Sequence, residues 1–286
     1  VMSLETLDPD SVERALVEYG ALSVTLSDGG DEPLLEPAPG ETPLWTDTRI
    51  TALFDAGIDL DALPAHLASA LNADPLPAHG TETLADRPWE REWLKDFGPM
   101  RFGKRLWIVP GDQPDPGGDA ISVRLDPGLA FGTGTHATTA LCLEWLDGLE
   151  LGGRRVFDFG CGSGILGIAA LKLGAASVDA VDIDLQAITA TRQNAERNGV
   201  ADRMAVSSTL PADDACFDVV VANILAGTLI EQANLIVAAL ADGGRVALSG
   251  ILNAQADAVL AAFGDRVTFA PAVTLDGWVM LSGTRN

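Results

Sequence analysis

The chain has 286 residues, 47% of them apolar and 21% charged, which is ordinary for a globular protein of one or two domains with a sizeable core. Its 41 acidic against 18 basic residues leave a formal net charge of −23 and argue against a large nucleic-acid footprint. Such a surface attracts a basic partner, although solubility or salt adaptation explains it equally well and fits a chain whose only lysines are Lys95, Lys104 and Lys172.

No basic segment followed by an apolar run opens the chain, so no signal peptide is expected. The start on Val1 leads to the expectation that a few native residues precede it. Residues 1–6 read as a strand. Asp8-Pro9 then supplies a helix N-cap with proline in the first turn, and Gly20 ends that helix. A second strand is expected at 21–26, a Gly/Pro/acid-rich loop at 28–43, a third strand at 49–54, a helix at 60–71 and a weak fourth strand at 81–84. This β-α-β-β-α-β order suggests a ferredoxin-like split unit. Trp89–Lys95, W-E-R-E-W-L-K, reads as a charged helix with two packing tryptophans, or as a connector between domains. Residues 106–109 and 121–125 look like paired strands.

From Glu144 onward strands and helices alternate. Strands are expected at 155–159, 178–183, 204–207, 217–223, 244–249, 266–270 and 277–283, with helices between them that include one long helix over 225–240. Asp276-Gly277 is a hairpin-type turn, so the last strand is expected to run antiparallel. The result is a seven-stranded, doubly wound sheet. No run of about 18 apolar residues suggests a membrane span. Cys142, Cys161 and Cys216 lack metal-ligand spacing, so no metal site is expected and the thiols read as reduced and cytoplasmic.

The chemistry centres on Val156–Gly164, V-F-D-F-G-C-G-S-G, a buried strand followed by an acid and alternating glycines. Two cofactor classes use such a corner. Gly162-Ser-Gly164-Ile-Leu-Gly167 satisfies the dinucleotide pattern, and Asp182 follows about 20 residues on. Equally, Asp158-x-Gly160-x-Gly162-x-Gly164 resembles the S-adenosylmethionine-dependent methyltransferases, where the leading acid suits an ammonium group and Asp182 can accept both ribose hydroxyls. Asp184 is the nearby alternative but reads as the N-cap of the next helix.

Downstream, Asn223 closes a buried strand and is followed by Ile-Leu-Ala226. At the carboxyl edge of a sheet an amide can orient a substrate amine, or it can merely cap a helix. The aromatic that a nucleobase would stack on is absent. Asp126–Thr139, D-P-G-L-A-F-G-T-G-T-H-A-T-T, lacks a Gly-Lys-Ser/Thr and is no P-loop; it reads as a lid with Phe131 as its cover and Thr139 facing the ligand. His136 reads as a helix cap more readily than a general base, and Cys161 as a small loop residue rather than a nucleophile.

Together with P-G-E-T at 39–42, W-E-R-E-W at 89–93 and P-M-R-F-G at 99–103, these motifs closely resemble the bacterial ribosomal protein L11 methyltransferases over nearly the whole chain. The resemblance implies an α/β fold in which a Rossmann-like seven-stranded methyltransferase domain (99–286) follows a smaller N-terminal ferredoxin-like α+β recognition domain (1–86) and a linker helix (87–98). It implies S-adenosyl-L-methionine as cofactor and S-adenosyl-L-homocysteine as product. The implied substrate amines are the N-terminal α-amine and lysine ε-amines of a basic ribosomal protein, free or on the ribosome, methylated up to three times. A monomer is expected, and the acidic charge and the lack of a long apolar run lead us to expect no direct nucleic-acid specificity and no membrane partner. Carried over by position, cofactor contacts fall on Thr139, Gly160, Asp182 and Asn223, with Gly162 added from the glycine run and Asn223 as the catalytic amide. The first recognition strand departs from the pattern in looking shortened.

Overall fold

A computed structural model describes residues 1–30, 44–83, 98–111, 113–125, 136–211 and 216–286. The expected linker helix at 89–95, the loop core at 31–43, and lid residues 126–135 with Phe131 lie outside the described residues. The chain divides into two compact units, Val1–Arg87 and Pro88–Asn286.

The first unit holds β1 (Met2–Ser3), α1 (Pro9–Tyr19), β2 (Ser23–Asp28), β3 (Thr48–Leu53) and α2 (Leu63–Leu71). Asp8 caps α1 by accepting from Ser11 N at 3.0 Å, and Gly20 closes it in the left-handed conformation at φ 112°, as Asp-Pro and glycine dictate. The sheet order is β1-β3-β2, and one antiparallel bridge from Met2 to His79 adds a rudimentary fourth strand beside β1. That gives the order 4-1-3-2 of the ferredoxin-like unit. The fourth pairing falls at His79 rather than in the expected stretch 81–84, whose described residues 81–83 form no strand. The helices cover one face through Val12, Ala15, Leu16 and Leu67, which meet Met2, Leu4 and Ile50.

The second unit opens with a small sheet of β4 (Met100–Phe102), β5 (Leu106–Pro110) and β6 (Ile121–Leu125). β5 and β6 pair in parallel as a strand pair, while β4, not foreseen, pairs antiparallel to β5 across a turn held by Asp147, which accepts from Lys104 N at 2.5 Å. The next elements are α3 (Ala137–Asp147), β7 (Arg155–Phe159), α4 (Ile165–Lys172), β8 (Ser177–Val181), α5 (Leu185–Arg197), β9 (Met204–Ser207) and β10 (Phe217–Asn223). They are followed by α6 (Ala226–Glu231), α7 (Ala233–Ala239), β11 (Leu240–Leu252), α8 (Ala256–Phe263), β12 (Val267–Phe269), β13 (Val273–Leu275) and β14 (Trp278–Arg285).

The main sheet runs β12-β14-β11-β10-β7-β8-β9, with β13 added to β14. The five strands from β11 to β9 are parallel, and β14 lies antiparallel between β11 and β12. Near-continuous burial of Phe157, Val220, Val221 and Leu248 reflects apolar cores on both faces. The helix expected over 225–240 breaks at Gln232 into α6 and α7, and Leu229 of the first and Ile236 of the second are both fully buried. The strand order reverses between β7 and β10, so the ligand crevice belongs at the carboxyl ends of those two strands.

The first unit rests on a small core, so truncating its most buried large side chain has a local effect. Ile50→Ala is expected to cost about 3 kcal/mol there. Hydrogen exchange should speed up in β1, β3 and α1 and stay unchanged in β7, β10 and β11.

Candidate functional site

The glycine run begins where β7 ends. Gly160 N and Cys161 N both donate to Val181 O, at 2.8 and 3.0 Å, folding the chain back onto the end of β8. Gly160 sits at φ 78°, and a side chain there would run into Ile224 Cγ2, the residue after Asn223. On its other side the Ile224 backbone presses on Gly250 of β11, where a Cβ would overlap the Ile224 carbonyl. Ile224 is therefore wedged between two glycines, and the glycine turn and the end of β10 are held against each other.

Helix α5 fixes the same turn from behind. Thr191 Oγ1 donates to Gly162 O at 2.9 Å, and Asn194 Nδ2 to Ser163 O at 2.8 Å. Asn198, at the end of α5, accepts from Arg124 N at 2.8 Å and donates to Arg124 O at 2.7 Å. Thr191, Asn194 and Asn198 lay outside the sequence reading. Their spacing along one helix face was a signal for it, but their partners are too far away in sequence to name.

Asp158 has a different place from the one expected. Its carboxylate is 1% exposed and accepts from Gly167 N at 2.9 Å, in the first turn of α4. Gly164, the N-cap of that helix, has no side chain to offer, so Asp158 supplies the missing acceptor from below. Gly167 permits this approach: a Cβ would stand 3.0 Å from Asp158 Oδ2 and 2.8 Å from Met204 Cε. Burial pushes the Asp158 carboxyl up to about 7, the Gly167 hydrogen bond opposes this, and the nearby Asp182 charge adds to it. Asp158 thus supports the glycine turn rather than facing an ammonium group.

Asp182 follows β8 and is half-buried. Oδ2 accepts from Gly162 N at 2.9 Å and Oδ1 from Asp184 N at 3.0 Å. Each oxygen keeps a lone pair for a further donor, so the carboxylate is both fixed and receptive. Asp184 caps α5 by accepting from Gln186 N at 2.8 Å, as its position after β8 suggested. Between them Ile183 is 95% exposed, an apolar side chain on the crevice rim that the sequence reading passed over.

Asn223 ends β10, half-buried, and its Nδ2 donates to Thr139 Oγ1 at 3.2 Å. Oδ1 makes no hydrogen bond among the described residues. Thr139 is fully buried in the first turn of α3 with its hydroxyl on that amide, so it sets the orientation of Asn223. His136 caps α3: Nδ1 lies 2.8 Å from Thr138 Oγ1, and its ring packs edge-to-face with Trp278, centroids 4.9 Å apart. Burial pushes the Cys161 thiol up to about 12, consistent with a packing residue and not a nucleophile.

The residues fit a sulfonium cofactor better than a dinucleotide. No basic side chain stands between Gly160 and Gly164 or between Asp182 and Asp184, and one of the N–H groups that opens α4 is already taken by Asp158. A pyrophosphate needs free helix-terminal N–H groups. A cation and a ribose diol need carboxylate and carbonyl oxygens, which this corner offers.

A family model described as "Ribosomal protein L11 methyltransferase (PrmA)" matches residues 2–286. The chain is 54% identical over 278 residues to the ribosomal protein L11 methyltransferase of Ectopseudomonas mendocina, covering 96% of this chain and 94% of that protein. The corresponding Pseudomonas aeruginosa protein is 53% identical with the same coverage. Among solved structures, a ribosomal protein L11 methylase from Lactobacillus delbrueckii subsp. bulgaricus is similar at 36% identity and a TM-score of 0.60, over 66% of this chain and all of that one.

Two predictions concern the support beneath the turn. Gly160→Ala is expected to destabilise by ~2 kcal/mol through strain and overlap with Ile224, with part of the loss recovered in the Gly160→Ala/Ile224→Ala pair; urea titration of the single and double variants measures this. Because the folded Asp158 pKa lies above the unfolded value, folded protein keeps a proton that unfolded chain has lost between about pH 4 and 7. Its contribution therefore falls as pH rises through that window. Asp158→Asn should gain stability relative to the parent between pH 5 and pH 8, read from paired denaturation midpoints.

Proposed function

The chain belongs to the ribosomal protein L11 methyltransferase family, and from that membership we propose that it methylates the N-terminal α-amine and lysine ε-amines of ribosomal protein L11, up to trimethylation. The observation that carries this reading is the Asn223 amide. It stands at the carboxyl end of β10, is oriented by Thr139, and keeps Oδ1 for an incoming N–H.

S-adenosyl-L-methionine, when bound, supplies the electrophilic methyl group. Asp182 would hold its ribose, Gly160 and Gly162 would let it lie against the backbone, and Ile183 would cover a flat apolar surface. Thr139 and Asn223 complete the cofactor wall, with Thr139 acting through the amide it orients. Asn223 Oδ1 accepts from the substrate amine and so directs the nitrogen lone pair. An α-amine with a pKa near 8 loses its proton far more readily than a lysine near 10.4, so lysine depends more on leaving water at the rim. His136 Nδ1 is engaged by the Thr138 hydroxyl at the start of α3, so we assign it no proton transfer. Catalysis is then mainly positioning and desolvation. Gly227 after Ala226 leaves room for a nitrogen that grows with each transfer.

In this reading residues 1–86 recognise the substrate, 87–98 link, and 99–286 carry the transfer. The enzyme works as a cytoplasmic monomer on L11, free or on the ribosome, without nucleic-acid specificity of its own. The net charge of −23 supports a basic protein partner over an RNA. Asn223→Ala is expected still to bind S-adenosylmethionine by calorimetry, weakened by the lost wall contact, yet lose roughly 100-fold or more in transfer at saturating cofactor, the scale of a misplaced reactant. Labelled-methyl counting on separated L11 and ribosomal RNA tests both points; undiminished transfer by the variant, or label in the RNA, would overturn the reading.

A further inference from the structure

Beside Asn223, β11 is irregular. Leu248 stands opposite Leu281 of β14 and Ile251 opposite Val279, so two residues, Ser249 and Gly250, face the single Met280. This is a β-bulge, which bends a strand and re-aims the side chain it carries. Gly250 takes φ 82° and has the Ile224 backbone against it, while Ser249 O accepts from Ile224 N at 3.1 Å. The bulge therefore meets β10 at the residue after Asn223.

Ser249 and Asn223 are partners in the parallel β10–β11 ladder, so their side chains stand side by side on one face of the sheet. Both reach the first turn of α3. Asn223 Nδ2 donates to Thr139 Oγ1 at 3.2 Å, and Ser249 Oγ lies 3.3 Å from Thr138 O, the carbonyl of the peptide bond that leads into Thr139. The same Oγ lies 3.4 Å from Val279 O on β14. Ser249 and Thr139 are fully buried and Thr138 is nearly so. One hydroxyl proton is thus shared between a helix carbonyl and a sheet carbonyl. Thr138 lies inside α3, so the helix does not need Ser249 in order to form. What the contact adds is where its first turn sits on the sheet.

Resting on the reading of Asn223 given above, we propose that Ser249 is a positioning residue for methyl transfer. Its hydroxyl seats the first turn of α3 on the bulge, so that Thr139 Oγ1 meets Nδ2 of Asn223 and Oδ1 is left toward the incoming amine. An amide has a donor end and an acceptor end. Released from Thr139, Asn223 can turn and present Nδ2, whose N–H groups oppose those of the amine. Ser249 touches neither substrate nor cofactor and acts only through Thr139.

The experiment uses the full-length enzyme with S-adenosylmethionine and intact L11, each amine being followed by mass spectrometry. Ser249→Ala should lower kcat about 10-fold, the worth of one hydrogen bond in the transition state, with KM and calorimetric affinity for S-adenosylmethionine little changed. The loss should be the same on the α-amine and on lysine, since one amide serves both. Thr139→Val, which removes the hydroxyl at nearly constant size, should lose a similar factor, and adding Ser249→Ala to it should cost nothing more. Ser249→Cys, a weaker donor of similar size, is the second variant should alanine not fold; a loss of about 3-fold is expected, again absent in the Thr139→Val background. Unchanged kcat, losses that multiply in the double variant, or a loss carried by cofactor affinity would overturn the proposal. Full transfer by Asn223→Ala would instead overturn the functional reading beneath it.

Discussion

The seating of Ile224 between Gly160 and Gly250 is the constraint on which the site depends. Its side chain fills the space over the first glycine, and its backbone occupies the space over the second. Neither glycine tolerates a Cβ, and both hold positive φ, 78° and 82°. One residue thereby sets the distance between the turn after β7 and the end of β10. A cofactor corner and an acceptor amide that come from strands 64 positions apart (Phe159 to Asn223) are set side by side by the β7–β10 ladder, Phe159 opposite Ala222, and the wedge seats the glycine turn against that ladder's end.

The layers around this wedge each oppose a different freedom of the turn. Val181 O draws two N–H groups of the turn toward β8, and Thr191 and Asn194 hold its carbonyls from α5. Asp158 closes the start of α4 from beneath, at the cost of a buried carboxyl whose proton affinity is raised. The rim is left with what a ligand can use: the Asp182 oxygens, the exposed Ile183 and the Asn223 carbonyl. Rigid support below and receptive groups above follow from buried polar atoms being satisfied within the protein.

Much of this was legible in the chain. Strands at 155–159, 204–207 and 217–223 coincide with those observed because apolar β-branched runs bounded by glycine or polar residues leave few alternatives. Asp8-Pro9 and Gly20 bounded α1, and Asp276-Gly277 marked a hairpin, because caps and tight turns are local. Local reasoning failed where a partner element decides. β4 is joined to β5 by a turn that Asp147 holds from 43 positions away, and the fourth strand of the first unit is a single bridge at His79.

What the sequence determined by itself was the alternation of elements, the glycine run and the identity of the polar groups at strand ends, since these follow from side-chain period and backbone sterics. Only the tertiary structure decided what those groups touch. It turned Asp158 from a ligand contact into the cap of α4, and Thr139 into the group that orients Asn223 from 84 positions away. It brought the last hairpin to the same rim of the sheet, with Trp278 against the His136 cap of α3. The physical reason is the strand order: reversal between β7 and β10 and the antiparallel insertion of β14 bring together residues whose separation in sequence carries no local signal.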